Sequence, residues 1–171
     1  MAKKRKLIKK IKPYIGYAIA VCALLAILSL LLTGVVLVPP TESMEKISIS
    51  GFTAIFGWST EIERMGIKVV TEYTTFSFMG LLVLVFSILG AVASLINNKT
   101  LNIISILLFV AGAIFVFLLK IDFVNAGTDA LKLYINDTAL TYKANLGIGA
   151  ILSGVFSIVG ALFGAVKVYL K

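Results

Sequence analysis

The chain has 171 residues, enough for one ordinary domain, but 60% of them are hydrophobic against 14% charged, and the mean hydropathy is +1.05. That balance excludes a water-soluble domain and identifies an integral membrane protein. There is no histidine and a single cysteine, which excludes histidine-based acid–base catalysis, histidine-ligated metals, cysteine-pair zinc sites and an intramolecular disulfide.

The formal charge is +8, and seven of the sixteen Lys and Arg residues lie within the first twelve positions: Lys3, Lys4, Arg5, Lys6, Lys9, Lys10 and Lys12. A basic run beside a long apolar stretch holds a segment against an anionic cytoplasmic leaflet. With no aromatics interleaved, the run does not have the make-up of a nucleic-acid surface, so membrane lipids rather than nucleic acid are the expected partner.

Four apolar stretches carry no Asp, Glu, Lys or Arg: residues 14–38, 76–96, 101–119 and 146–166. At about 1.5 Å per residue, these runs of about 19 to 25 residues reach about 28 to 37 Å, the thickness of a hydrocarbon core with some tilt. The first run is too long for a signal-peptide core and ends in Val36-Leu37-Val38-Pro39-Pro40, so it reads as a retained span. Cys22 follows Val21 inside that run; a lipid-attachment site needs a small residue there, so the thiol reads as a small buried apolar group.

Charge sets the orientation. The N-terminal tail, the turn at 97–100 and the C-terminal end hold ten basic residues and no acidic one, Lys99, Lys167 and Lys171 among them. The connections at 39–75 and 120–145 hold all eight acids (Glu42, Glu45, Glu61, Glu63, Glu72, Asp122, Asp129 and Asp137) against six bases. The bias of Lys and Arg predicts a multi-pass protein of the plasma membrane with both termini in the cytoplasm and both long loops outside.

The first outer loop is rich in β-formers. Ile47-Ser48-Ile49-Ser50 alternates with period two, and residues 67–75 are dense in β-branched side chains; Leu131-Lys132-Leu133-Tyr134-Ile135 adds a candidate in the second loop. Together they predict a small extracellular antiparallel sheet formed by both outer loops, with the helix tops or the lipid surface as its second layer. Between the first two candidates lies Gly51-Phe52-Thr53-Ala54-Ile55-Phe56-Gly57-Trp58. Phe52, Phe56 and Trp58 read either as a contact surface for a partner or for the outer leaflet, or as the packing under the sheet. Asn136-Asp137-Thr138 fits a glycosylation sequon. Glu61 and Glu63, two apart, would share one face of a strand, and paired loop carboxylates are ordinarily solvated. Lys120 and Asp122 look like an interfacial snorkelling pair.

Small residues mark the helix faces that meet. Gly149, Ser153, Ser157 and Ala161 recur every four residues, Gly160 and Gly164 make a Gly-x-x-x-Gly, and Gly90 with Ser94 and Ser87 with Ala91 give the second span a matching stripe. The second and fourth spans are therefore expected to pack closely within the bundle. No span has an ionisable side chain in its middle third, which argues against proton-coupled transport by this chain alone. No enzyme, cofactor or metal is indicated.

The layout resembles the claudin-type tetraspans: four spans, both termini inside, a long strand-rich first loop, a shorter second one and a tight inner turn. Asn145-Leu146-Gly147-Ile148-Gly149-Ala150-Ile151-Leu152-Ser153-Gly154 and Gly160-Ala161-Leu162 are similar to the small-residue-rich fourth helix of that family, and Phe56-Gly57-Trp58 falls near its Gly-Leu-Trp loop motif. The paired loop cysteines of claudins are absent, since Cys22 lies in the first span. What the resemblance implies is a four-transmembrane-helix bundle, a non-catalytic scaffold or interaction protein whose outer sheet mediates lateral or cell-surface contacts, by self-association or with another membrane protein. The alternative from the residues is a small accessory subunit of a transporter, channel or secretion complex, held through its helix faces.

Overall fold

A computed structural model describes residues 2–40, 45–64, 67–131 and 142–170. In chain order the elements are α1 (Ala2–Ser29), β1 (Thr33–Val38), β2 (Ile47–Ser50), α2 (Gly51–Phe56), β3 (Trp58–Arg64), β4 (Ile67–Thr74), α3 (Phe78–Leu95), α4 (Lys99–Asn125), β5 (Lys143–Leu146) and α5 (Ile148–Tyr169). Among the described residues four helical stretches are long and apolar enough to cross a membrane: Ile11–Ser29, Phe78–Leu95, Lys99–Asn125 and Ile148–Tyr169. With its small antiparallel sheets, this is the make-up of a helical membrane protein.

Two boundaries differ from the sequence expectation. The apolar run at 14–38 is not one span, because α1 stops at Ser29 and Thr33–Val38 is a strand. A short run of Val and Leu has no periodicity that separates a buried strand from helix, and here the β-branched content and the closing Pro39-Pro40 prevail. The third span, α4, conversely, runs beyond Leu119 to Asn125.

The chain folds as two compact units, divided within the long helices. The first contains α1, Leu82–Val116 and α5 from Leu152 onward. Its core gathers Ile19, Ala23, Phe109 and Ala161, with Ile15, Ala91 and Ile106 packed against it. With Phe123, Phe109 is among the largest fully buried side chains of the described residues, and two glycines make room for it. A β-carbon on Gly90 would stand 3.0 Å from Cε2 of the ring, and one on Gly160 would stand 3.1 Å from Cε1. Gly164 bears on Ile106, whose Cγ1 would lie 2.7 Å from an added β-carbon. The nearest neighbours of Gly160 and Gly164 are thus side chains of α4, whereas the sequence directs them to the second span. Ser105 Oγ donates to Gly90 O at 2.7 Å, joining α4 to α3.

The second unit contains Leu30–Leu81 and Phe117–Ile151. In place of one sheet it has two. A three-stranded antiparallel sheet in the order β2-β1-β5 pairs Val35 with Ile49 on one side and with Leu146 on the other. Val35 and Leu37 are fully buried and Ile49 nearly so, the period-two burial that a half-covered strand requires. The remaining strands, β3 and β4, form a separate antiparallel ribbon. The second loop contributes Lys143–Leu146 to the first sheet; in the candidate at 131–135, Leu131 is helical and buried, and residues 132–135 lie outside the described residues, as does the sequon at 136–138.

Candidate interaction surface

Between β2 and β3 the chain makes one and a half turns of helix. Ser50 caps α2: its backbone is extended and its Oγ accepts from Thr53 N at 3.0 Å. Both ends of α2 are fixed by backbone hydrogen bonds. Gly51 N donates to Leu32 O at 3.0 Å and Phe52 N to Leu30 O at 3.1 Å, while Ser77 N donates to Ile55 O at 2.8 Å. Ala54 and Ile55 are fully buried, and Ile55 fills the space beside Gly80. The helix leaves at Gly57, whose φ of 108° lies where an L side chain is strained, and a β-carbon there would also meet Thr74 O at 3.0 Å.

The three aromatics singled out by sequence do not form one cluster. Phe52 and Phe56, one turn apart, stack with ring centres 6.2 Å apart and planes within 6°, and Phe56 lies 6.2 Å from the ring of Phe76. Phe56 is 54% exposed and Phe76 48%, so that part of the row lies open on the surface, while Phe52 is half-buried. Trp58 turns away into the ribbon and stacks on Tyr73 at 4.2 Å, and its backbone N–H donates to the Thr74 hydroxyl at 2.9 Å. Of the two sequence readings, exposure suits Phe56, and local packing suits Trp58.

The ribbon is held at its base. Thr128 N donates to Tyr73 O at 2.9 Å, the Thr128 hydroxyl donates to Glu72 O at 2.6 Å, and Thr75 N donates to Ala126 O at 3.0 Å. Farther along, Glu61, Glu63, Lys68, Val69 and Val70 are all exposed, with Glu63 opposite Lys68 and Glu61 opposite Val70. Glu61 and Glu63 share a face, as their spacing requires, and both are exposed.

Two features escape the sequence reading. Ser77 caps α3: its Oγ accepts from Gly80 N at 2.8 Å and donates to Asp122 Oδ2, which places a carboxylate at the positive end of that helix. Asp122 therefore has a partner in Ser77, at the cap of α3, where the sequence pairs it with Lys120. The signal was present, a Ser directly before an apolar run. The second feature is Lys167. Counted by sequence as a cytoplasmic end charge, it is only 2% exposed and its ammonium donates to Ser94 O in the last turn of α3, beside Gly16. A cation capping the terminal carbonyls of a helix is favourable both as a hydrogen bond and against the helix dipole, and it ties α5 to α3.

Of the packing stripe on α5, Gly149, Ser153 and Ser157 are buried. Ser157 Oγ donates to Ser153 O at 2.9 Å, while Ser153 Oγ, like Asn102 Oδ1, is buried with no partner among the described residues. Also among the described residues, no group of three or more His, Cys, Asp or Glu side chains could hold a metal ion. The arrangement offers contact area and fixed backbone geometry. Compared with known protein families, curated proteins and solved structures, the chain gives no match.

Proposed function

We propose that this chain is a non-catalytic tetraspan of the plasma membrane, with both termini in the cytoplasm and both sheets outside, that serves as a scaffold or interaction protein through its outer loops in the manner of the claudin-type proteins it resembles. The observation that carries this reading is the β3–β4 ribbon: a structure with exposed Val69 and Val70 between exposed charges, clamped at its base by Thr128 and the Trp58–Tyr73 stack. Two isolated strands are marginal, so a braced base with an open outer part suits a contact element. The helix faces support the alternative less, because the glycine stripe that an accessory subunit would offer to a larger partner is occupied from within by Phe109 and Ile106.

The test is purification of the full chain in mild detergent beside a Val69→Asp/Val70→Asp variant. Self-association or a companion protein retained by the parent chain and lost by the variant, at equal thermal stability, is the expected result. A stoichiometric larger companion that stays bound to the variant would overturn this reading in favour of the accessory subunit.

A further inference from the structure

We infer that α2 is an interfacial helix whose ladder of Phe52, Phe56 and Phe76 sits in lipid, at the boundary between headgroups and acyl chains, and anchors the first loop to the membrane surface. The inference rests on the reading above that the four long helices span the bilayer, and it narrows the contact made by the aromatic segment to one ligand, the lipid itself.

Position carries the argument. Leu30 and Leu32, which accept from the first two N–H groups of α2, lie within three residues of the end of the candidate span Ile11–Ser29; Ser77, whose N–H donates to Ile55 O, directly precedes the candidate span starting at Phe78. A helix of six residues tied at both ends to the ends of two spans has its depth set for it, since hydrogen bonds of about 3 Å leave no slack. Phe76, two residues before a span, belongs at the membrane boundary, and the ring of Phe56 lies only 6.2 Å away. The exposed surface is continuous with that of the span: Phe76 leads into Phe78 and Met79, 66% and 44% exposed, on the first turn of α3. In water such a row would be an uncovered apolar patch. At the boundary it gains from burial, as the apolar face of an interfacial helix does, while Ala54 and Ile55 face the protein.

The same geometry separates Trp58 from the ladder. Its stack on Tyr73 directs it into the ribbon, so the anchor and the contact element are distinct parts of one loop.

The chain has a single tryptophan, which gives a clean fluorescent probe. The full chain carrying Trp58→Phe with Phe56→Trp is reconstituted in phosphatidylcholine vesicles with bromine either near the headgroup end of the acyl chains or near their methyl end. Trp58→Phe with Phe76→Trp serves as a second probe at the other end of the ladder. Several-fold stronger quenching by the shallow bromines than by the deep ones is expected for both. Quenching no greater than in unbrominated lipid would overturn the inference and leave the ladder to water or a protein partner. Strongest quenching by the deep bromines would overturn it too, by placing the ladder within the bilayer core. If the shallow pattern holds while the ribbon variant keeps its companion, the anchor stands and the proposed function fails, so the two are decided separately.

Discussion

The two units solve the packing problem by different means. In the spans of the helical unit most positions are apolar, so burial alone discriminates little between one helix arrangement and another. What selects the arrangement is shape: the Phe109 ring seated between Gly90 and Gly160, and Ile106 against Gly164. The loop unit instead relies on direction, with antiparallel ladders, a Ser50 cap, and backbone hydrogen bonds at both ends of α2. The comparison teaches that a chain with one overall composition keeps two kinds of specificity, steric where it is surrounded by apolar side chains and polar where backbone groups need partners.

The comparison can be broken most severely at Phe109. Phe109→Ala should cost about 3 to 5 kcal/mol of stability, since the site is enclosed by glycines that cannot collapse into the void. Thermal unfolding in detergent measures it, and a loss below one kcal/mol, on the scale set for exposed positions, would show that the ring faces lipid. From the other side of the same contact, Gly160→Leu with Gly164→Leu should cost on the order of 1 to 3 kcal/mol for each overpacked site. Pairing Gly160→Leu with a smaller residue at 109 should recover part of the loss; no recovery would separate Gly160 from Phe109.

Within the loop unit the expected effects come from a helix cap and from a ring stack. Ser77→Ala removes a helix cap and strands Asp122 without its donor, at a cost of about 1 to 3 kcal/mol. If Asp122→Ala in the Ser77→Ala background costs nothing further, the two act as one element; independent losses would contradict the pairing. The Trp58–Tyr73 stack should give a coupling of about 0.5 to 1.5 kcal/mol in a double-mutant cycle. Zero coupling would mean the two rings are neighbours without being partners.

Elements defined by long periodic or unbroken patterns were legible in the sequence. The second and fourth spans, expected at 76–96 and 146–166, appear as Phe78–Leu95 and Ile148–Tyr169, and both strand candidates of the first loop are present as Ile47–Ser50 and Ile67–Thr74. The illegible elements are those that tertiary partners decide. Lys143–Leu146 has no strand composition and becomes one by pairing with β1. Residues 33–38 joined the first span on hydropathy because Val and Leu serve helix and buried strand alike. For the contact surface, the sequence indicated the aromatic segment but gave no means of separating Phe52 and Phe56 from Trp58, since that division follows from the turn at Gly57. Lys167 reads from the sequence as a cytoplasmic end charge, because sequence carries no sign of the carbonyl at Ser94 that accepts from it.

The proposed function depends on which side of the membrane the loop unit faces, and accessibility of single cysteines decides it. In a Cys22→Ser background, Glu61→Cys on the ribbon and Lys99→Cys at the first position of α4 occupy exposed positions. With a membrane-impermeant maleimide on intact cells, position 61 should label and position 99 should label only after permeabilisation. Labelling at 99 but not at 61 would invert the topology and contradict the account.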